Sequence, residues 1–534
     1  MRPCAMVLSL AAFAAASWRT VEQAGTDSRP DPRSAALGSV FWTDSSRHDL
    51  FSLAGNPVGL VHGSGKKLSV EIRTSGVSLA GSGATVSQSH PVGLVLATED
   101  ANKYGLRLGL ELENQELSSG AQVPSYKAVR LRWGLDAGAN LWGNRYLATG
   151  FGLHGRFPSN QTQDTAGGAT PGSFERWQPA LEALRLSLGS RIADFLTLSA
   201  RVEAAASVDS LNHTPEGTVS KSLHRTGRVL LPWWGIGAQF ERPGLPATAV
   251  MEYGFGTAYR MGVVKPAGTI LGATVIGGEN IDMPQLTTDT SRFLLAGIGR
   301  IDKLPDHLFR PALAFHLISS ETQAYAPIPN AQSTDFSRKG EALKDTNWTY
   351  KNSGFAIGLG WEWARGVKAA IEWERSSLKL SRGTGFQAGA SEAHTDHRVS
   401  MGVEAGHILI PALRQAFPVG TAACVRLGMR KQSLAGMELE PGFLAGLTLD
   451  EPQFVQPYRP DSRNWSGREH AVGLDPRLGE GGDEMAISLG LGGSLLDGRV
   501  GLDAALVFDS WKDDAPDSPK LSGTGWNIGV HWAM

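Results

Sequence analysis

The sequence predicts an all-β fold: a transmembrane antiparallel up-and-down β-barrel of about 14 to 18 strands, preceded by an N-terminal plug-like segment. Three observations predict it. Apolar and polar residues alternate over stretches long enough to cross a bilayer as tilted strands. Short and long connections between those stretches themselves alternate. The apolar run near the N-terminus is a secretory signal too short to span a bilayer as a helix, and no other apolar run reaches spanning length.

The alternation is clearest over Tyr126–Leu141, where Val129, Leu131, Trp133, Leu135, Ala137, Ala139 and Leu141 fall on one face. Arg130, Arg132, Gly134, Asp136, Gly138 and Asn140 fall on the other. A helix of period 3.6 cannot sustain that pattern. The same period of two places Leu106, Leu108, Leu110 and Leu112 opposite Arg107, Gly109, Glu111 and Glu113. It recurs at Leu196–Glu203, Val367–Glu374 and Val500–Phe508. If the apolar face meets lipid, Arg107, Glu111, Arg130, Arg132, Asp136, Arg201, Glu203, Lys368, Glu372, Glu374 and Asp503 face the lumen. Their signs are mixed. A ring of one sign would favour an ion-selective pore; mixed signs favour a lumen laced with salt bridges or partly filled by a plug.

Short turns are expected near 98–104, 142–145, 191–194, 242–246, 302–307, 364–366, 411–418 and 496–498. Long polar loops are expected near 118–125, 158–179, 209–225, 263–288, 321–351, 382–396, 432–483 and 512–522. Tight turns on one side and long loops on the other suit a bacterial outer-membrane barrel.

The start of the chain sets the compartment. Arg2 precedes the apolar run Ala5–Ala16, and Ala14, Ala15, Ala16 and Ser17 offer a small-residue cleavage site, so residues 1–17 read as a signal peptide. Residues 18–65 are irregular and proline-bearing, and read as a plug or periplasmic lead-in; residues 66–534 read as the barrel with long extracellular loops. Of the two cysteines, Cys4 lies in the signal, which leaves Cys424 with no intramolecular partner. The wall must then hold in an oxidising compartment without disulfides.

With 50 Lys and Arg against 52 Asp and Glu, the net charge of −2 gives no electrostatic case for nucleic acid. The 65 glycines and 15 tryptophans suit small inward residues and interfacial aromatics. No cofactor or metal is expected. His394-Thr395-Asp396-His397 is a polar cluster in an expected surface loop, without a further ligand set. Gly490-Leu491-Gly492-Gly493 lies within an alternating strand with no helix after it, so it is not a phosphate loop. No nucleophile–base–orienter pattern emerges, so the chain is not expected to be an enzyme.

The last strand has Trp526, Ile528, Val530, Trp532 and Met534 on one face. Asn527, Gly529, Trp532 and Met534 stand in a spacing that resembles the C-terminal signal read by the barrel assembly machinery. Met534 stands where an aromatic is usual. The segment Ser52–Leu60, with Asn56, Pro57 and Gly59, followed by the strand Leu68–Ile72, resembles the opening of the FadL-type outer-membrane transporters of long-chain fatty acids and other hydrophobic compounds. It also resembles the related porin-like proteins of type IX secretion. Those families carry an Asn-Pro-Ala element in an N-terminal plug, and Val58 here replaces the alanine. The resemblance implies a hydrophobic ligand moving passively past the plug and out through the wall, with Phe51, Leu53, Leu60 and Val61 as apolar lining. Outer-membrane lipid is the expected surroundings. A non-transport barrel, acting as structural protein, adhesin or secretion-system partner and displaying the loop at 432–483, stays open as an alternative.

Overall fold

The computed structural model describes residues 32–38, 40, 43 and 58, and between 65 and 533 the strands and several of their turns. The strands are β1 (Gly65–Leu79), β2 (Thr85–Asp100), β3 (Tyr104–Leu117), β4 (Ser125–Asn140), β5 (Ala148–Arg156), β6 (Ser159–Asp164), β7 (Gly172–Trp177) and β8 (Ala183–Ala193). Then come β9 (Leu196–Pro215), β10 (Ser222–Glu241), β11 (Ala247–Lys265), β12 (Gly268–Ile270), β13 (Ala273–Val275), β14 (Ile281–Asp282), β15 (Gln285–Gly299) and β16 (His307–Tyr325). β17 (Ala342–Trp363), β18 (Val367–Arg382), β19 (Ser391–Gly406), β20 (Ala422–Leu434), β21 (Gly482–Leu495), β22 (Val500–Asp513) and β23 (Leu521–Ala533) complete the order. One short helix, α1 (Pro32–Ala36), precedes them.

The sheet closes on itself. β1 pairs antiparallel with β2 on one side and with β23 on the other, with Leu68 opposite both Leu96 and Trp532. Between those seams each strand pairs antiparallel with its sequence neighbours. Three wall strands are interrupted: β4 pairs with both β5 and β6, β9 with both β7 and β8, and β11 with both β14 and β15. The 21 segments of the sheet therefore make eighteen wall strands among the described residues. An all-antiparallel ring closes only with an even number. β12 and β13 form a separate hairpin.

Closure satisfies every strand edge, and the side chains are arranged for lipid outside. On β21, Ile487, Leu489 and Leu491 are 44%, 46% and 61% exposed, while Ser488 between them is 2% exposed. On β3, β8, β11 and β16 the exposed positions are again apolar: Leu106, Leu108, Leu186, Leu188, Tyr253, Phe255, Leu313 and Phe315. The buried set includes Asp136, Glu252, Arg292, His316, Glu372 and Arg426. Apolar side chains outside and charge inside reverse the order of a water-soluble protein and are what a lipid solvent selects. No helix among the described residues is long and apolar enough to cross a membrane. The protein is a membrane-spanning β-barrel of the outer-membrane type. Replacing Leu489 by arginine is expected to cost about 2–4 kcal/mol if the site lies near the bilayer midplane. Urea unfolding in lipid vesicles measures it; a cost near zero would place Leu489 outside the bilayer.

An interfacial belt marks the short-connection edge. There Trp361 donates its indole N–H to His307 Nδ1 at 3.1 Å, and His307 stacks against Trp361 and Trp363. Trp532 projects outward near the same edge, 50% exposed. Gly366 turns β17 into β18 with φ of 93°, and its N–H bonds to the Trp363 carbonyl at 2.9 Å.

The strand ends flanking 101–103, 194–195, 242–246, 300–306, 364–366 and 496–499 share one edge of the barrel, and those flanking 165–171, 216–221, 266–280, 326–341, 383–390 and 435–481 share the other; most of the expected turns and loops themselves lie outside the described residues. The turn expected at 411–418 lies outside the described residues. Several expected loops are partly strand: β17 begins at Ala342 and β19 at Ser391. Their polar residues still alternate and find ladder partners, so the sheet continues past the apolar band. His394 through His397 therefore lie on β19 rather than in a surface loop. Among the described residues no group of His, Cys, Asp and Glu is placed to hold a metal.

Candidate functional site in the barrel interior

The interior is organised by inward positions of β9 to β22 and by the N-terminal segment. α1 is five residues long and is followed by a turn through Leu37 and Gly38; the Gly38 φ of 68° closes that turn while its N–H reaches the Ala35 carbonyl at 3.3 Å. A Cβ at Gly38 would lie 2.5 Å from the Met429 carbonyl oxygen and 2.7 Å from that of Met401. The helix end thus lies directly on the backbones of β19 and β20.

The wall is built to receive it. Gly402 on β19 stands opposite Gly428 on β20, which stands opposite Ser488 on β21. With Gly490 they form a trough of residues with little or no side chain. A Cβ at Gly402 would meet the Leu37 carbonyl at 2.6 Å, one at Gly428 would overlap the Gly38 nitrogen, and one at Gly490 would overlap the Ala36 methyl. The Ser488 hydroxyl donates to the Ala36 carbonyl at 3.0 Å and accepts from the Gly38 N–H at 3.2 Å. Farther on, the backbone N–H and the hydroxyl of Thr43 both donate to Glu372 Oε1, at 2.8 and 3.1 Å, beside Gly358 and Gly360. Val58 is fully buried and clusters with Ala148 on β5. β5 lies on the far side of the ring from β18 to β21, so described points of the segment touch opposite walls.

Ion pairs form belts across neighbouring strands. Glu404 on β19 accepts from Arg426 Nε at 2.7 Å and from Arg33 Nε of α1 at 3.2 Å; Arg426 also binds Asp503 on β22. The Arg426 guanidinium lies over Gly492, where a Cβ would overlap it. In a second belt, Glu252 on β11 is held between Arg201 on β9 and Arg292 on β15, and the Arg201 side chain crosses over Gly235 of β10. Arg310 pairs with Glu362 at 3.2 Å and Arg398 with Glu374 at 3.8 Å. An apolar stretch, including Val250, Leu294, Ile298 and Ala314, lies on the inward face of β11, β15 and β16.

Sequence periodicity located part of this. Of the expected lumen residues, Arg201, Glu372, Glu374 and Asp503 all enter these networks. Asp136 is buried and stands opposite Arg107. Lys368 is exposed and stands opposite Glu404 near the short-connection edge. Glu111 stands opposite Arg132, Arg130 opposite Glu113, and Glu203 opposite Arg185. The side chains of Arg107, Glu111, Arg130, Arg132 and Glu203 lie outside the described residues, as do Phe51, Leu53, Asn56, Pro57, Gly59, Leu60, Val61 and Met534 entirely. Asn527 and Gly529 are buried inward on β23, with Trp532 outward. The partners Glu252, Arg292, Glu404, Arg426 and Ser488 were not singled out in the sequence. Their signal is the same alternation: Glu252 stands between Met251 and Tyr253, and Arg426 between Val425 and Leu427.

No family model and no curated protein matches the chain. Among solved structures it is similar to the CymD monoaromatic hydrocarbon channel, at 12% identity and a TM-score of 0.34, covering 94% of this chain and 97% of that one. It is similar to Pseudomonas aeruginosa OccK2 (OpdF) in complex with glucuronate, at 10% identity and a TM-score of 0.36, covering 88% and 98%. It is also similar to the siderophore receptor PiuA from Acinetobacter baumannii, at 11% identity and a TM-score of 0.42, covering 88% and 70%. With every score below 0.5, the likeness adds no weight to any reading of solute or mechanism.

Proposed function

We propose that the protein is a bacterial outer-membrane channel or transporter that passes small molecules by diffusion along the barrel interior, past an N-terminal plug. One observation carries this reading: Arg33, Ala36, Gly38 and Thr43 are held against the inner wall by an ion pair to Glu404 and hydrogen bonds to Ser488 and Glu372. A wall shaped by glycines to seat a polar, non-covalently held chain is suited to an obstruction that can shift.

For the solute, the resemblance at Asn56–Pro57 favours hydrophobic compounds such as fatty acids, and the inward apolar stretch around Leu294 is compatible with them. A second reading, small polar solutes, is favoured by the mixed-sign belts of Arg201–Glu252–Arg292 and Glu404–Arg426–Asp503. Paired opposite charges leave polar lining without the one-sign field of an ion-selective ring. Proteoliposomes separate the two: uptake of a fluorescent fatty acid supports the first, and swelling in sugar or amino-acid solutions supports the second. A correctly inserted barrel that conducts no ions and takes up neither class would sink the transport reading and leave the structural, adhesive or secretion-partner role.

A further inference from the structure

The outward face changes character at one level on the long-connection side. On β17 to β20 the last apolar outward residues are Phe355, Trp373, Val399 and Met429. Phe355 meets Trp373 edge to face at 5.2 Å, and Trp373 stacks on His397 at 6.3 Å. Aromatic rings collect where hydrocarbon gives way to headgroups. The next outward positions include Arg375, His397 and Lys431; beyond the Ser353–Ser377 pair come Lys351 and Lys379, and all five of these basic side chains are exposed.

Lys351 and Lys379 stand directly opposite each other across the β17–β18 ladder. Like charges so placed repel unless an anion lies between them. Among the described residues none of Lys351, Arg375, Lys379 and Lys431 has an ion-pair partner. The outward acids flank the patch: Glu321 on β16 stands opposite Thr349, diagonal to Lys351, with Asp289 beyond it on β15, and Asp483 on β21 stands opposite Ser433, diagonal to Lys431, and opposite Lys512 on its other side. The four cations lie on β17, β18 and β20, with His397 of β19 between them, beyond the aromatic level and contiguous with the bilayer-facing band. Arg and Lys so arranged suit phosphate oxygens. We propose that the patch formed by Lys351, Arg375, Lys379 and Lys431 binds the phosphates of a phosphorylated glycolipid in the outer leaflet. The proposal rests on the membrane-spanning reading with the long connections facing outward, and is independent of what the lumen carries.

The full-length barrel would be reconstituted in phosphatidylcholine nanodiscs carrying a small share of bis-phosphorylated lipid A, dephosphorylated lipid A or phosphatidylglycerol. Lipid retained on the purified barrel after detergent exchange would be quantified by mass spectrometry. The expected result is retention of the bis-phosphorylated form on the order of tenfold above the other two. Retention should fall to the level of the others in K351Q/R375Q/K379Q/K431Q and stay unchanged in D289N/E321Q. Heat-modifiable mobility reports folding; if the quadruple variant does not fold, K351Q/K379Q takes its place with the same expectation. Equal retention of phosphatidylglycerol, or undiminished retention by the neutralised variant, overturns the proposal. Conductance in lipid A-free bilayers reads the channel function separately and should be unaffected by these substitutions.

Discussion

Replacing Gly428 with valine is expected to raise single-channel conductance several-fold and to expose residues 32–43 to protease. The trough has no room for a side chain at this point: a Cβ would overlap both the Gly38 nitrogen and the Ser488 hydroxyl. The β20 backbone is fixed by ladder partners on both sides, Gly402 and Ser488, so the N-terminal chain is what must give way. Dislodging it forfeits the Ser488 bonds to Ala36 and Gly38, each worth roughly 0.5–1.5 kcal/mol net. The ion pair of Arg33, whose side chain is 42% exposed, adds little. A few kcal/mol is enough to turn a seated segment into a mobile one. Planar-bilayer recording and limited proteolysis are the measurements. Unchanged conductance together with new cleavage sites would show that the segment is not the obstruction, and the plug reading would fail.

The second large effect concerns the wall itself. Arg426 is 5% exposed and is the hub between Glu404 and Asp503. Methionine in its place would keep much of the volume and leave two carboxylates facing each other without their shared cation. Breaking a buried pair by removing one partner costs about 3–5 kcal/mol. Chemical unfolding in lipid vesicles should show that loss, and adding Glu404→Gln and Asp503→Asn to the same chain should recover most of it. A loss below about 1 kcal/mol would mean that water reaches the belt freely, as for an exposed pair.

The wall was legible in the sequence because lipid imposes a strict period of two. β4, β18 and β22 can be drawn from alternation alone, and the same alternation sets Glu372, Glu374 and Asp503 on the face opposite the apolar positions. The upper ends of the strands were harder. Beyond the apolar band both faces are polar, so the alternation that defines β17 fades near Lys351, although its ladder with β16 continues to Ala342. The breaks between β5 and β6 and between β7 and β8 leave no mark that a hydrophobic pattern would reveal. The seating of the N-terminal chain was the least legible. Its partners lie about as far away as the sequence allows: Ser488 is separated from Gly38 by 450 residues and Glu372 from Thr43 by 329. Nothing local to Gly402 or Gly428 distinguishes a glycine that receives a neighbouring chain from one that merely faces a crowded lumen.

The pairing of β1 with β23 also imposes an order in time. No earlier strand can supply the partner that Leu68 and Val70 find in Trp532 and Val530, so the ring stays open until the final strand arrives. The trough at Gly402, Gly428 and Ser488 belongs to the last third of the chain, whereas its occupant belongs to the first tenth. The earliest part of the polypeptide must therefore wait for its berth, and either slips in before the seam zips shut or is threaded through a finished ring. Single-exponential closure with the berth already filled would distinguish the first route from the second.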